Sequence, residues 1–352
     1  MRLGLNLGYW GTTGTDDLET MKRLVVTADE LGYDVAWVAE AYGSDIPSLI
    51  GYLSASTPRL GWGSAIMQIP ARSPAMTAMT AATLDRITEG RFHLGLGVSG
   101  PQVSEGWHGV RFADPLGRTR EYVAIVRQAL GRSNVEFHGE HFELPLPDSS
   151  GKALRLLLLP ERSDLPIYLA SIGPRNVRLT GEIADGWLGI FVSPEHLPEQ
   201  LSQLREGRET AGLTLAGFDV CASAGLSVDD DLDVAADRLR GNAALYIGGM
   251  GSRQKNFYNA LARRMGFADE ADRVQDLYLA RQHRDAAAAV PREFIEQTAL
   301  VGDAERIAGR LRAYADAGVT TLNVSPTGDT VRERLDALRL VAELARGEGL
   351  HD

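Results

Sequence analysis

Strand-like and helix-like patterns of apolar residues alternate along nearly the whole chain. Short apolar runs predict eight strands, at residues 3–7, 35–39, 60–66, 92–96, 166–170, 186–191, 218–225 and 319–324. Between them, apolar residues recur at spacings of three and four, which is typical of amphipathic helices. Helices are predicted from Asp16 or Asp17 to Leu31, at 46–55, 73–88 and 115–130, from Pro174, and at 194–211, 229–240, 303–317 and 330–346.

This alternation predicts an α/β fold, a parallel (β/α)8 TIM barrel with insertions. We expect a single domain over residues 1–352, with a mostly helical insertion around 245–295. The alternative is an open, doubly wound parallel sheet. A nucleotide-binding glycine fingerprint after the first strand would favour that alternative, but the glycines of residues 8–14 have the wrong spacing.

Composition narrows the possible partners. The net charge of −11 argues against nucleic acid or an anionic membrane as the main partner, although a local basic pocket remains compatible with it. Cys221 is the one cysteine, so an internal disulfide and a cysteine-based zinc site are excluded. No stretch approaches the ~18 apolar residues of a membrane span, and the N-terminus does not resemble a signal peptide. We therefore expect a cytoplasmic protein.

The predicted helix around residues 75–84 is small and apolar on nearly every side. A barrel helix needs only one apolar stripe, so a second covered face indicates a partner. We expect a homodimer. An insertion of the same chain is the other explanation for a covered face.

In a parallel barrel the chemistry lies at the carboxyl ends of the strands. Glu40 follows the second strand, where desolvation can make a carboxyl group a proton donor; it could equally cap a helix or pair with an arginine. The glycine-rich run 97–103 after the fourth strand suits a flat ligand, or is an ordinary loop. His108, beside Trp107, either lines a substrate pocket or anchors the loop.

After the fifth strand, Gly173, Pro174 and Arg175 open a helix. Free N–H groups at a helix start form an anion site, which Arg175 would strengthen; an ordinary capped helix is the alternative. The chain has no phosphate-binding Gly-Lys-Ser/Thr loop, no paired-histidine zinc helix and no Gly-x-Ser-x-Gly elbow. We expect no metal.

Several segments resemble one family in the same order, namely residues 38–45, 72–74, 90–109, 118–122 and 173–187. They are similar to the luciferase-like flavin and deazaflavin oxidoreductases. Within that superfamily they resemble the coenzyme F420-dependent branch, which includes methylenetetrahydromethanopterin reductase. The run 90–109 is the most specific match. The resemblance implies a β/α barrel that binds the flat ring of coenzyme F420, or alternatively FMN, at its carboxyl end.

The resemblance also implies where the coenzyme lies. Many members carry a non-proline cis peptide bond at the end of strand three, which is Ala65–Ile66 in this chain. The ring and side chain of the coenzyme would contact Glu40, Gln102 and the backbone. The remaining implied coenzyme residues are Ala65, Ile66, Gly97, Val98, Ser99 and Gly100 around the ring and Gly173, Pro174 and Arg175 at the phosphate.

One departure from the family predicts the reaction. Its sugar-phosphate and alcohol dehydrogenases carry Asp-His after strand two, whereas this chain has Glu40-Ala41. We therefore expect hydride transfer to an imine, enamine or activated C=C of a small organic substrate, with the proton from Glu40, His108 or water. One alternative is an FMN-dependent monooxygenase, because the cofactor decides the reaction type. A coenzyme-binding protein without turnover is a further alternative.

Overall fold

The structure, a computed structural model, describes residues 1–9 and 17–351. Its strands, in chain order, are β1 (Arg2–Asn6), β2 (Val35–Val38), β3 (Gly61–Ser64), β4 (Met67–Gln68), β5 (Phe92–Gly97), β6 (Phe137–His138), β7 (Glu143–Leu144), β8 (Ile167–Ala170), β9 (Gly186–Ile190), β10 (Asp219–Val228), β11 (Ala299–Gly302) and β12 (Thr321–Pro326). Eight of them close a ring in the order β1-β2-β3-β5-β8-β9-β10-β12, and β12 pairs with β1. Every pairing in the ring is parallel. The predicted (β/α)8 barrel is confirmed.

Helices surround the ring. They are α1 (Leu18–Leu31), α2 (Ile46–Leu53), α3 (Pro74–Ile87), α4 (Pro101–Gly106), α5 (Pro115–Leu130), α6 (Pro174–Ile183), α7 (Leu197–Thr210), α8 (Leu232–Ala244), α9 (Phe257–Arg264), α10 (Ala268–Leu279), α11 (His283–Ala288), α12 (Arg292–Thr298), α13 (Ala304–Ala317) and α14 (Val331–Gly347). Short 3₁₀ turns lie at 54–56 and 69–71, and a π-helical turn at 245–249. None of these helices is both long and apolar enough to cross a membrane, within the residues that the structure describes.

The helix starts follow local capping chemistry. Asp17 caps α1, because its side chain accepts a hydrogen bond from the Thr20 N–H at 2.6 Å. The alternative cap, Asp16, lies outside the described residues. Ser73 caps α3, and Pro74 occupies its first position, as predicted.

Three elements differ from the sequence-based prediction. Part of the glycine-rich run after β5 is helical, because Pro101 follows Gly100 and pre-sets the first turn of α4. The two-residue strand β4 pairs with the end of β5. The strand β11 pairs with the carboxyl half of β10 from outside the ring, and its four residues between α12 and α13 are too short a run to read from periodicity.

The core has three parts. The largest lies between the barrel strands and the surrounding helices. A second lies within α8–α12 and β11, so the stretch after β10 has its own apolar packing. The third fills the barrel interior, where Trp37 and Tyr168 meet edge to face with ring centroids 5.2 Å apart. The barrel is therefore plugged by side chains below its carboxyl end.

Candidate functional site

The predicted site residues follow neighbouring barrel strands at one end. Glu40 follows β2, Ala65 and Ile66 follow β3, Gly97 ends β5, and Gly173 follows β8. Since β2, β3, β5 and β8 are consecutive in the ring, these residues occupy one continuous part of the rim at the carboxyl end. Residues that are distant in sequence are thus brought to the side of the barrel where β/α enzymes bind their ligands.

Glu40 lies in a buried ion pair with Arg72. Two guanidinium nitrogens of Arg72 donate to the two carboxylate oxygens, one of them at 3.0 Å, and the side chains are only 5% and 17% exposed. The backbone N–H groups of Ile46 and Gln68 also donate to Glu40, at 3.1 and 3.4 Å. Burial alone would lower the pKa of Arg72, but the hydrogen bond to Glu40 raises it above the ordinary value. All of these partners of Glu40 are donors, which suits an accepting carboxylate and not a group that gives away a proton.

Gln68 connects this ion pair to the glycine-rich loop. Its amide nitrogen donates to the Ala41 carbonyl at 2.7 Å, while its amide oxygen accepts from the Ser99 hydroxyl at 2.9 Å. Ser99 has a left-handed backbone, with φ of 58°. The loops after β2, β4 and β5 are therefore joined by one buried amide, and Ser99 is held on the loop where the sequence predicts coenzyme contacts.

The peptide bond between Ala65 and Ile66 is cis, as the resemblance implied. Next to it, β3 approaches β5 so closely that only glycine fits at position 95, and the Ile66 side chain lies against Gly97. A Cβ on Gly95 would lie 1.8 Å from the Ser64 carbonyl oxygen, and a Cβ on Gly97 would lie 2.8 Å from Cδ1 of Ile66. The Ser64 hydroxyl also donates to the Gly95 carbonyl at 2.8 Å. Both glycines are accounted for by strand packing.

Other predicted coenzyme positions border open space. A Cβ on Gly100 or on Gly173 would meet no atom within 4 Å. Gly173 caps α6 without any side-chain hydrogen bond, so no side chain closes the start of that helix. Arg175 lies near enough to Asp114 to contribute to lowering the pKa of that carboxyl, after the larger effects of His141 and the Gly117 N–H. An uncapped helix start beside an open glycine and an arginine fits a phosphate group.

Gln102 lies in the first turn of α4, and His108 follows the end of that helix. The amide nitrogen of Gln102 donates to the Gly251 carbonyl at 3.2 Å, which links the loop after β5 to the helical stretch after β10. Nε2 of His108 is buried and has no hydrogen-bond partner among the described residues. Trp107 is 66% exposed, and Val98 lines a small cavity together with Pro70 and Arg118.

A group of possible metal ligands lies at the start of α5. One ligand atom each of Asp114, Glu140 and His141 lies within 4.8 Å of the others. Asp114 already caps Gly117 and contacts Nε2 of His141 at 3.0 Å, and both carboxylates are exposed. These contacts account for the group as a helix cap with a histidine partner, and the absence of a metal stays a prediction.

Sequence reasoning missed Arg72 and Gln68 as site residues. Both follow β3 at positions that look like an ordinary strand end, and although Arg72 belongs to the segment 72–74 that resembles the family, the resemblance gave it no role. The available signal was physical, because a carboxylate predicted to be buried requires a cation or several donors nearby. The sequence does not show which arginine supplies them, since Arg72 is 32 positions from Glu40.

Comparisons with known proteins agree with this geometry. A family model described as luciferase-like monooxygenase matches residues 4–321. A Mycobacterium tuberculosis protein provisionally named as a coenzyme F420-dependent oxidoreductase is 41% identical over 332 residues, which cover 92% of this chain and 95% of that protein.

Two solved structures share the fold. The coenzyme F420-dependent tetrahydromethanopterin reductase from Methanopyrus kandleri superposes with a TM-score of 0.83 at 24% identity, over 99% of both chains. An F420-dependent secondary alcohol dehydrogenase, solved with an F420–acetone adduct, superposes with a TM-score of 0.79 at 19% identity, over 98% of this chain and 99% of that one.

Proposed function

The chain belongs to the luciferase-like monooxygenase family, and from that premise we propose that it is a coenzyme F420-dependent oxidoreductase that reduces an imine, enamine or activated C=C of a small organic substrate. The relative that is 41% identical is provisionally named as a coenzyme F420-dependent oxidoreductase, which supports coenzyme F420 over FMN as the cofactor. We further propose that the chain acts as one domain, with the insertion around 245–295 bordering the site.

The coenzyme would lie on the rim beside β3, β5 and β8. Ala65, Ile66 and the backbone of residues 97–100 would support the ring, with Glu40 and Gln102 at its edges, and Gly173, Pro174 and Arg175 would hold the phosphate. When bound, the reduced deazaflavin supplies a hydride, and its carbon in place of the flavin N5 favours this two-electron step over oxygen chemistry. The open space at Gly100 and Gly173 leaves room for such a group.

The end of β2 carries the proposed direction of the reaction. Oxidation of an alcohol requires a base that removes the hydroxyl proton. Ala41 has no ionisable group, and the oxygens of Glu40 accept four N–H donors from Arg72, Ile46 and Gln68. Reduction has no such requirement, because the substrate receives a proton. The residues at the end of β2 therefore support reduction of a substrate over oxidation of an alcohol.

The proton in turn needs a donor from the chain or from water. We assign it to His108, whose buried Nε2 is unpartnered among the described residues, in preference to Glu40. Glu40 would instead act by holding Arg72 and, through Gln68, the loop that carries Ser99.

The first experiment is a pair of binding titrations. Apo protein is titrated with oxidised coenzyme F420 and, separately, with FMN, and quenching of tryptophan fluorescence is followed. We expect micromolar or tighter binding of the deazaflavin and weak binding of FMN. A preference for FMN would overturn the proposal and favour a monooxygenase.

If the deazaflavin binds, its reduced form is mixed with a cyclic imine, an enamine and cyclohexenone, and recovery of the oxidised absorbance is recorded. Coenzyme binding without turnover on any member of that panel would favour the non-catalytic alternative.

We also propose that α3 packs against a second copy of the chain. Met76, Met79 and Ile87 are each about half exposed on its outer face. The apolar surface continues on the neighbouring segment, where Leu157 is 90% exposed and the Arg86–Glu161 ion pair ties that segment to α3. A molar mass of one chain in solution would contradict this proposal.

A further inference from the structure

A group of tyrosines lies at the carboxyl-end rim of the barrel, beside the proposed coenzyme residues. Tyr9 follows β1, Tyr42 follows β2, and Tyr246 and Tyr258 come from the stretch after β10. Tyr246 and Tyr258 meet edge to face with ring centroids 4.8 Å apart, and each also contacts Phe191, the residue after β9. These four tyrosines form a tyrosine wall that starts from β1, β2 and the stretch after β10, while the proposed coenzyme residues start from β2, β3, β5 and β8.

The position of Tyr246 is built into the backbone. It lies in the π-helical turn 245–249, a feature that is frequent at functional sites. Asn256, which is 7% exposed, donates its amide hydrogens to the carbonyls of Tyr246 and Ile247 at 3.0 and 2.9 Å. Its amide oxygen accepts from the N–H groups of Tyr258 and Asn259 at 2.9 and 3.0 Å. One buried side chain therefore holds both tyrosine-bearing segments in place.

Gly248 and Gly249 of the same π-helical turn leave room for the Tyr278 side chain. A Cβ on Gly248 or Gly249 would lie 2.4 Å from the Tyr278 side chain. A side chain at either position would push Tyr278 away and shift the turn. The packing of the Tyr278 ring therefore accounts for both glycines.

The hydroxyl groups at this wall are neutral donors. Tyr246 and Tyr9 are hydrogen-bonded to each other. Burial raises the pKa of Tyr9 and raises the pKa of Tyr246 well above its ordinary value, so both hydroxyls stay protonated at neutral pH. The described side chains that act on the Tyr9 pKa are themselves phenols, Tyr246 and Tyr42. The wall offers O–H groups without a formal charge.

We propose that the Tyr9–Tyr246 pair binds the carbonyl oxygen of the substrate, so that the activated C=C is that of an α,β-unsaturated carbonyl compound. This inference rests on the proposed function and selects among its three substrate classes. A protonated imine would require a carboxylate, and Glu40, the buried carboxylate of this rim, is already paired with Arg72. A neutral carbonyl oxygen is the acceptor that phenol donors match.

The proposed step is a two-electron reduction of the substrate C=C bond. Hydride addition to the β-carbon shifts the C=C electron pair toward the carbonyl, and the carbonyl π pair moves onto the oxygen as an enolate. One O–H of the Tyr9–Tyr246 pair is used within the pair, and the other donates a hydrogen bond to that oxygen, where negative charge develops. The α-carbon then takes a proton from His108 or water as the C=O bond re-forms. The reduced coenzyme is the reductant and leaves oxidised.

An enolate mimic tests the pair without turnover. The probe is para-nitrophenol, whose phenolate oxygen resembles the enolate oxygen and whose ionisation is visible by absorbance. Full-length protein is titrated with the probe near the pH at which the free probe is half ionised. We expect binding of the phenolate form, weakened about tenfold in Tyr246→Phe and in Tyr9→Phe, because a hydrogen bond to a charged group is lost. Tyr52→Phe, at an exposed tyrosine of α2, is the matched control and should bind the probe like wild type.

Two results would overturn the inference. One is a wild-type protein that does not bind the phenolate. The other is a pair of tyrosine variants that bind it as tightly as Tyr52→Phe. If one variant fails to fold, as judged by circular dichroism, the other decides. Titration of the same proteins with oxidised coenzyme F420 separates this question from the proposed function, since failure of the coenzyme to bind wild type removes the proposed function and leaves the probe result intact.

Discussion

Each end of the barrel holds a buried carboxylate that contacts an arginine. Asp219, at the start of β10, contacts Arg2 at 2.6 Å, and Glu40, after β2, contacts Arg72 at the opposite end. The carboxylate side chains are 8% and 5% exposed, so both are removed from water to a similar degree. The arginines differ more, since the Arg2 side chain is 45% exposed and the Arg72 side chain 17%.

The two carboxylates differ in which elements supply the hydrogen-bond donors. Asp219 accepts from Tyr168 on β8 at 3.0 Å, from Thr321 on β12 at 2.8 Å and from Cys221 on its own strand at 3.2 Å, while Arg2 belongs to β1. The donors of Glu40 come from the segments after β2 and β3. The hydrogen bonds to Asp219 therefore connect strands at the amino-terminal end of the barrel. The hydrogen bonds to Glu40 connect segments between strands at the carboxyl end. Strands hold the ring closed, and loops leave the rim adjustable for ligands.

The largest effect is expected when Asp219 is changed to Asn. Burial alone would raise the pKa of Asp219, but Arg2, Thr320 and Thr321 outweigh it and hold that pKa below the ordinary value. The substitution leaves several donors on separate strands facing an amide, so the free energy of unfolding should fall by about 3–5 kcal/mol. Urea unfolding followed by tryptophan fluorescence measures it. Asp272→Asn, which breaks an exposed pair with Arg263, should cost less than about 1 kcal/mol. Equal losses in the two variants would contradict the comparison.

The next effect is a pH dependence of the folding stability, which arises from His93 at the amino-terminal end of the barrel. Burial, with a smaller contribution from Arg162, lowers the pKa of His93 to about 4, and its ring lies between Trp37 and Tyr168. Unfolded chains protonate histidine below about pH 6.5. Between about pH 6.5 and pH 4 the unfolded state binds a proton that the folded state does not, so stability is present above this window and falls as the pH falls.

The integrated loss from His93 is about 3 kcal/mol. We expect His93→Gln, which keeps a polar side chain without a titrating group, to flatten this part of the stability curve. Urea unfolding of both proteins at several pH values across the window measures the difference. Parallel curves for variant and wild type would show that His93 does not titrate there.

The smallest effect on stability is expected from Glu40→Gln, the same chemical change made at the carboxyl end of the barrel. The donors of Glu40 lie on segments between strands that can rearrange around an amide, so the free energy of unfolding should fall by only about 1–2 kcal/mol. Binding of oxidised coenzyme F420 should nevertheless weaken about tenfold, because Glu40 and Gln68 hold the loop that carries Ser99. The titration used for wild type measures this. A stability loss as large as that of Asp219→Asn, with unchanged coenzyme binding, would reverse the assignment of the two ends.

Much of the fold could be predicted because its signals are local. Apolar runs such as residues 92–96 and caps such as Ser73-Pro74 act over a few residues, and the structure has β5 and α3 at those places. The strand β11 was missed because its burial depends on pairing with β10, a tertiary contact. The run 154–159 holds five leucines that form no strand or helix, and three of them are more than half exposed.

The site was predictable only in part. The position of Glu40 follows from strand order, and the cis bond at Ala65–Ile66 follows from family resemblance. The pairing of Glu40 with Arg72, the bridge through Gln68 and the link from Gln102 to Gly251 all join residues that are far apart in sequence. Local pattern carries no record of such contacts. The tyrosine wall was invisible for a similar reason, since its members come from three separate segments.

The close packing of β3 on β5 also bears on how relatives of this chain are recognised. Gly95 and Gly97 belong to its most distinctive segment, yet a Cβ at either position would collide with β3 or with Ile66. A search profile weighted toward these two glycines would recover any barrel with that strand contact, including homologues that have lost the coenzyme. Gly100 and Gly173 border open space, so a larger residue at either position is sterically tolerated by the protein itself and would be limited only by a bound ligand.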